Sequence, residues 1–226
     1  MRQIFLDTET TGLYPDHGHR IIEIAAVEMI QRRPTNSHFH VYLNPEREID
    51  LAAQEVHGIT LEFLQDKPLF DAVASEFIEF IKDAEVIIHN APFDVGFLNM
   101  ELGRIGQQPI ATMCDKITDT LKMAKDARPG QRNNLNALCS HFGIDNSRRT
   151  LHGALLDAEL LAEVYMAMTR GQESLVMDLG HQNVAVNHVV NTENQAPLKV
   201  LMADEEEQKA HVAYVQGLAK AGALPW

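Results

Sequence analysis

The sequence predicts an α/β protein: a sheet that opens as an antiparallel meander, helices that flank it, and a separate C-terminal tail. Three observations carry that expectation. Extended, apolar-rich runs at 4–12, 20–30 and 39–43 follow one another through short links, as in a meander. From residue 70 to 171, segments with a helical period alternate with short strand-like runs. After Gly171 the texture changes to Asn- and Gln-rich chain with no period.

The first run is Ile4-Phe-Leu-Asp-Thr-Glu-Thr-Thr-Gly12. A strand's period of two puts Asp7 and Glu9 on one face. Two carboxylates there repel and lose hydration unless a cation sits between them. Oxygen ligands of this kind suit Mg²⁺ or Mn²⁺. The bland alternative is a solvated strand end. Arg20–Ile30 reads as the second strand, with Glu23 and Glu28 inside it. Phe39–Leu43 reads as the third, closed by Asn44-Pro45. Val56–Ile59 is expected in a loop, where His57 is either an ordinary loop histidine or a substrate contact.

Phe70, Val73, Phe77, Ile78 and Ile81 have helical spacing. Val86–Ile88 is a short buried strand ending in His89-Asn-Ala-Pro-Phe-Asp94, where a helix begins and runs to Gly106. Asp94 at that start is either a helix cap or a ligand. A last short strand is expected at 111–115 and a helix at 118–125. Leu135, Leu138 and Phe142 share one face of a helix that Gly143 closes. Another helix carries Asp157, Leu160, Leu161, Val164 and Met168 as far as Gly171.

Three regions follow: a domain over 1–171, a linker over 172–196 and a final segment over 197–226. In the last, a strand-like run at 198–202 precedes Asp204 and Glu207, whose spacing is that of a capping box. Val212, Val215, Leu218 and Ala219 give the next helix one apolar face, and Gly222 can stop it.

The 226 residues are 45% hydrophobic and 23% charged, ordinary for a soluble globular chain. No apolar run approaches a membrane span. No signal-peptide pattern opens the chain, and Cys114 and Cys139 form no framework, so the cytoplasm is the expected setting. A net charge of −13 argues against a free-standing, high-affinity nucleic-acid binder. Residues 103–150 run the other way, with eight basic residues, Arg149 among them, against four acidic ones.

Asp7-Thr-Glu-Thr-Thr-Gly12, His89-Asn-Ala-Pro-Phe-Asp-Val-Gly-Phe-Leu98 and His152-Gly-Ala-Leu-Leu-Asp-Ala158 resemble, in order, the three motifs of the histidine-bearing (DEDDh) branch of the DEDD exonuclease superfamily. The resemblance covers residues 2 to about 171. It implies a ribonuclease-H-like fold, a mixed five-stranded sheet flanked by helices, with the acids at the centre of the sheet. It also implies 3′–5′ hydrolysis of single-stranded DNA ends with two Mg²⁺ or Mn²⁺ ions per active site. Asp7, Glu9, Asp94 and Asp157 would hold the metal, and His152 would act as general base. Thr10, Thr11, Gly12, Leu13, His57, Asn90 and Phe93 match positions that meet the terminal nucleotide, the first three through backbone amides. Phe93 could equally be core.

Proofreading members of the branch work inside a replicative polymerase. The resemblance therefore names as partners the polymerase III alpha subunit, docked by 197–226, and a small theta-like subunit. Gln172-Glu-Ser-Leu-Val-Met177 resembles sliding-clamp-binding peptides, with Gln172, Ser174, Leu175 and Met177 as the contacts and no aromatic at its end. Two other readings stay open. One is an exoribonuclease or repair exonuclease with the same site. The other is a non-catalytic scaffold bridging polymerase and clamp, which would have no use for a repelling carboxylate cluster.

Overall fold

A computed structural model describes residues 1–170 and 204–220. Strands β1 (Arg2–Thr10), β2 (Ile21–Ile30) and β3 (Arg33–Tyr42) form the antiparallel meander. Helices α1 (Leu51–His57), α2 (Leu61–Leu64) and α3 (Phe70–Ile81) follow. Next come β4 (Glu85–Ile88), α4 (Ala91–Arg104), β5 (Lys116–Asp119), α5 (Thr120–Ala127), α6 (Leu135–Phe142) and α7 (Ala154–Met168). The last described helix, α8, spans Glu205–Lys220. The sheet order is β3-β2-β1-β4-β5, with β4 parallel to both β1 and β5. This is the mixed five-stranded sheet that the motifs implied.

Side-chain alternation along β1 and β4 divides the core in two. Ile4, Leu6, Val86 and Ile88 face one way and pack with Phe77 and Ile81 of α3 and Phe97, Leu98 and Leu102 of α4. Phe5 and Ile87 face the other way, against Leu138 of α6 and Leu161, Val164 and Tyr165 of α7. The Phe5 and Tyr165 rings meet edge-on at 5.4 Å. Helices therefore cover both faces, as parallel strands require.

The structure corrects four expectations. His57 ends helix α1 and does not lie in a loop. Only Leu51 and Val56 are large apolar residues in α1 and both are exposed, so no apolar stripe announces the helix. β3 begins at Arg33, six residues early, because its first part is a polar stretch held to β2 by the backbone ladder and by the Thr35 hydroxyl, which donates to Glu28 Oε2 at 2.8 Å. The last strand is Lys116–Asp119, while 110–112 forms a 3₁₀ turn. Helix α5 consequently starts at Thr120, capped by Asp119, which accepts the amides of Leu121 and Lys122.

In the tail, the capping box forms as expected. Asp204 Oδ1 accepts the Glu207 amide at 2.8 Å, and Glu207 Oε2 accepts the Asp204 amide at 3.1 Å. The clamp-like peptide, the linker, the strand-like run at 198–202 and Gly222 lie outside the described residues.

Candidate active site

The acids gather where the parallel strands end. Period two carries Phe5, Asp7 and Glu9 along one face of β1, and Phe5 faces α7. Glu9 lies directly opposite Glu23 of β2, and the register then shifts between Glu9 and Thr10. That bulge ends the regular pairing where the chain turns away toward Gly12. Thr8, on the opposite face, donates its hydroxyl to Asp94 Oδ1 at 2.7 Å. Asp94 and Asp157 stand in the first turns of α4 and α7, where helix amides favour negative charge.

A pocket of about 710 Å³ opens over these residues. Asp7, Glu9, Asp94, Asp157 and His152 all line it. Ligand atoms of Glu9, His152 and Asp157 lie within 4.8 Å of one another. Burial, then Asp94, Glu9 and Asp157, hold the Asp7 carboxyl well above the carboxylate range. Glu9 is pushed up to about 8 by burial and then by Asp157 and Glu23. Burial raises Asp94 to about 7 against the Thr8 hydrogen bond. Such a cluster resists ionisation unless cations join it.

Arg149 brings a cation to this cluster. The Arg149 Nε and Nη2 donate to the two oxygens of Asp157, both at 2.5 Å. Nη2 also reaches His152 Nδ1 at 3.2 Å, and Nη1 donates to Asn136 Oδ1 at 3.0 Å. A guanidinium has no acceptor, so His152 Nδ1 carries the lone pair in that contact. Burial and then Arg149 lower the His152 pKa, against the opposing pull of Asp157. The ring is therefore neutral at pH 7, the form a proton acceptor needs.

The candidate substrate residues divide. Thr10, Gly12, Leu13, His57, Asn90 and Phe93 line the pocket; Thr11 does not. Thr11 is fully buried, its amide donates to the Arg20 carbonyl, and its hydroxyl joins Arg20 and His19, so it shapes the loop. A Cβ at Gly12 would collide with the His19 ring, so only glycine fits there. Leu13 is 66% exposed. His57 Nδ1 accepts the Ile59 amide, which leaves the ring proton on Nε2 at the pocket wall. Asn90 adopts a left-handed conformation at φ 68°, and its amide donates to Asp119. Phe93 lines the pocket and also packs on Phe97, with ring centres 5.0 Å apart.

Two residues at the site escaped the sequence reading. Arg149 counted only toward a basic stretch, and Glu23 only as a polar residue in a strand. Glu23 is buried, binds His40 Nε2 at 2.7 Å and accepts the amide of Ala154, the first residue of α7. It thereby caps α7 from across the sheet. The available signal was its register: a glutamate directly across from Glu9.

The chain is similar to known proteins along most of its length. A model of the exonuclease family (RNase_T) matches residues 4–165. The DNA polymerase III subunit epsilon of Pasteurella multocida is 50% identical over 97% of this chain and 90% of its own length. The Escherichia coli K12 protein of that name is 47% identical over 98% and 95%, and that of Rickettsia felis 47% over 97% and 98%. Among solved structures, Exonuclease X in complex with 5′-overhanging duplex DNA is 26% identical, with a TM-score of 0.58 over 74% of this chain and 91% of that one. The nuclease domain of 3′hExo, a DEDDh family member bound to rAMP, is 19% identical, with a TM-score of 0.65 over 75% and 92%. It shares the fold.

Proposed function

Because this chain belongs to the exonuclease family, among the epsilon subunits of DNA polymerase III, we propose that it removes mismatched nucleotides from the 3′ ends of single-stranded DNA by metal-assisted hydrolysis. The observation that carries this reading is the convergence of Asp7, Glu9, Asp94 and Asp157 beside a neutral His152 in one pocket.

The residues fit the metal that the family implies. Their donors are hard oxygens, and the raised Asp7, Glu9 and Asp94 carboxyls need a cation to ionise together. Mg²⁺ or Mn²⁺, two per site, would activate water and stabilise the charge on the leaving oxygen. Asp7, Glu9, Asp94 and Asp157 would hold them, with their carboxylate oxygens as the ligands. His152 stands at the mouth, partly exposed, and once its Nδ1 is clear of Arg149 its lone pair would take the proton of the attacking water. Leu13, Phe93 and the Gly12 backbone offer contacts that need no base identity, which suits an enzyme blind to sequence.

The tail would serve docking. Its helix α8 is capped and exposes Val212 and Tyr214, and a thirty-residue segment has too little core to stand alone. Docking of 197–226 on the alpha subunit would raise the local concentration of substrate that an acidic enzyme does not attract by itself. Binding of the clamp by Gln172–Met177 rests on sequence resemblance, as does a theta-like partner. Among the described residues no helix is long and apolar enough to cross a membrane.

The deciding assay offers the full chain a 3′-mismatched primer with Mg²⁺ or Mn²⁺, in DNA and RNA forms. Release of mononucleotides, faster from DNA, is expected. No hydrolysis would leave the scaffold reading, and preference for RNA the exoribonuclease one. A chain ending near Gly171 should still hydrolyse free single strands but lose the alpha subunit in co-purification.

A further inference from the structure

Arg149 holds the two groups that hydrolysis needs free. Its guanidinium spans both oxygens of Asp157 and covers the lone-pair nitrogen of His152. Both members of the Arg149–Asp157 pair are nearly closed to solvent, at 6% and 4% side-chain exposure. Asp157 is a carboxylate that the proposed function assigns to a metal, and the inference rests on that reading. A guanidinium and a divalent ion carry like charge and seek the same oxygens.

We propose that Arg149 is a latch that competes with the divalent ion for Asp157, so that an ion binds there only as the guanidinium withdraws. The withdrawal route is already marked. Nη1 rests on Asn136 Oδ1 at the exposed side of the pocket, so the side chain keeps one partner as it lets go of the other two. One movement then frees the metal ligand and uncovers His152 Nδ1 together. Arg149 is thus a positioning residue: metal entry and readiness of the base are coupled through one side chain. Without the latch, four carboxylates would face one another with no cation among them.

The test is Mn²⁺ binding to the full chain without DNA, followed by isothermal titration calorimetry at fixed pH. Arg149→Met removes both charge and fork; Arg149→Lys keeps the charge but cannot hold two oxygens in a plane. The latch predicts tighter binding in both, roughly tenfold or more for Met and a smaller gain for Lys, because a competing cation has been removed or weakened. Circular dichroism checks that each variant is folded, and if Met does not fold, Lys decides alone. Lys binding Mn²⁺ no better than the parent would reduce the effect to charge repulsion at a distance and overturn the latch. Weaker binding in either folded variant would overturn it too, by making Arg149 a support of the metal site. No Mn²⁺ binding by the parent or either variant would instead sink the metal reading itself, and the latch with it.

Discussion

Two buried glutamates at opposite ends of the same sheet behave in opposite ways. Glu85 begins β4 and receives Gln3 at 3.0 Å, Lys116 at 3.2 Å and the Thr118 hydroxyl at 2.5 Å. Burial alone would raise it, but those donors outweigh burial and leave its pKa lowered. Glu9 ends β1 and meets carboxylates where Glu85 meets donors, so its pKa rises to about 8. Both are nearly solvent-free, at 4% and 8% exposure. Burial therefore does not separate a structural carboxylate from a candidate ligand; the sign of its neighbours does.

The sharpest way to break this contrast is to delete acids at each end. Asp7→Ala or Asp157→Ala should abolish hydrolysis with the fold intact, whereas Glu85→Gln should leave the rate unchanged. A primer-degradation assay with circular dichroism checks both, and near-normal activity in either Asp variant would remove the metal assignment. Next in size, His152→Ala should slow turnover by roughly 10²–10⁴-fold, the usual loss for a general base. Parent activity should fall as pH drops through the His152 pKa, which lies below the ordinary 6.5. A variant that kept the parent's rate and pH profile would show that another group is the base.

Stability should respond with smaller and opposite signs. With chelator present, Asp7→Asn should raise the melting temperature by a few degrees, because it removes repulsion. Glu85→Gln should lower it, at about 2–4 °C per kcal/mol for a domain of this size. Differential scanning fluorimetry separates the two.

The pH windows should differ as well. Glu9 is raised from 4.5 to about 8, so its contribution is fully present below 4.5 and lost as pH climbs through 8. Glu85 is lowered from 4.5, so its contribution is present above 4.5 and lost only as pH falls below that value. Melting curves in chelator should therefore shift downward between about pH 5 and 8. Mn²⁺ should flatten that slope, since a bound cation favours the ionised acids. An equal slope with and without Mn²⁺ would count against metal binding by Glu9.

Most of the site was legible because its residues sit in local patterns. Asp7 and Glu9 share a strand face two residues apart, and Asp94 and Asp157 each follow a strand or loop into a helix start. Elements with an apolar period, such as α3 and α6, were placed by that period. Illegible were elements held by backbone pairing or by a few contacts: the polar half of β3, the short edge strand β5, and α1. Arg149 and Glu23 escaped for a related reason. Each acts through a partner distant in sequence or across the sheet, so neither carries a local mark. Thr11 erred the other way: its motif position suggested a ligand contact, but the turn to Arg20 had already taken its amide.

The placement of α7 also bears on how the protein is made. It packs on β1 and β2, yet among the described helices up to residue 170 it is the last to be synthesised, more than a hundred residues after those strands. Chains fold from the N-terminus as they emerge. A nascent chain thus carries Asp7 and Glu9 before Asp157 and His152 exist. On the proposed assignment the metal site would be complete only when α7 packs against the sheet. A chain ending short of that helix should therefore release no mononucleotides from single strands.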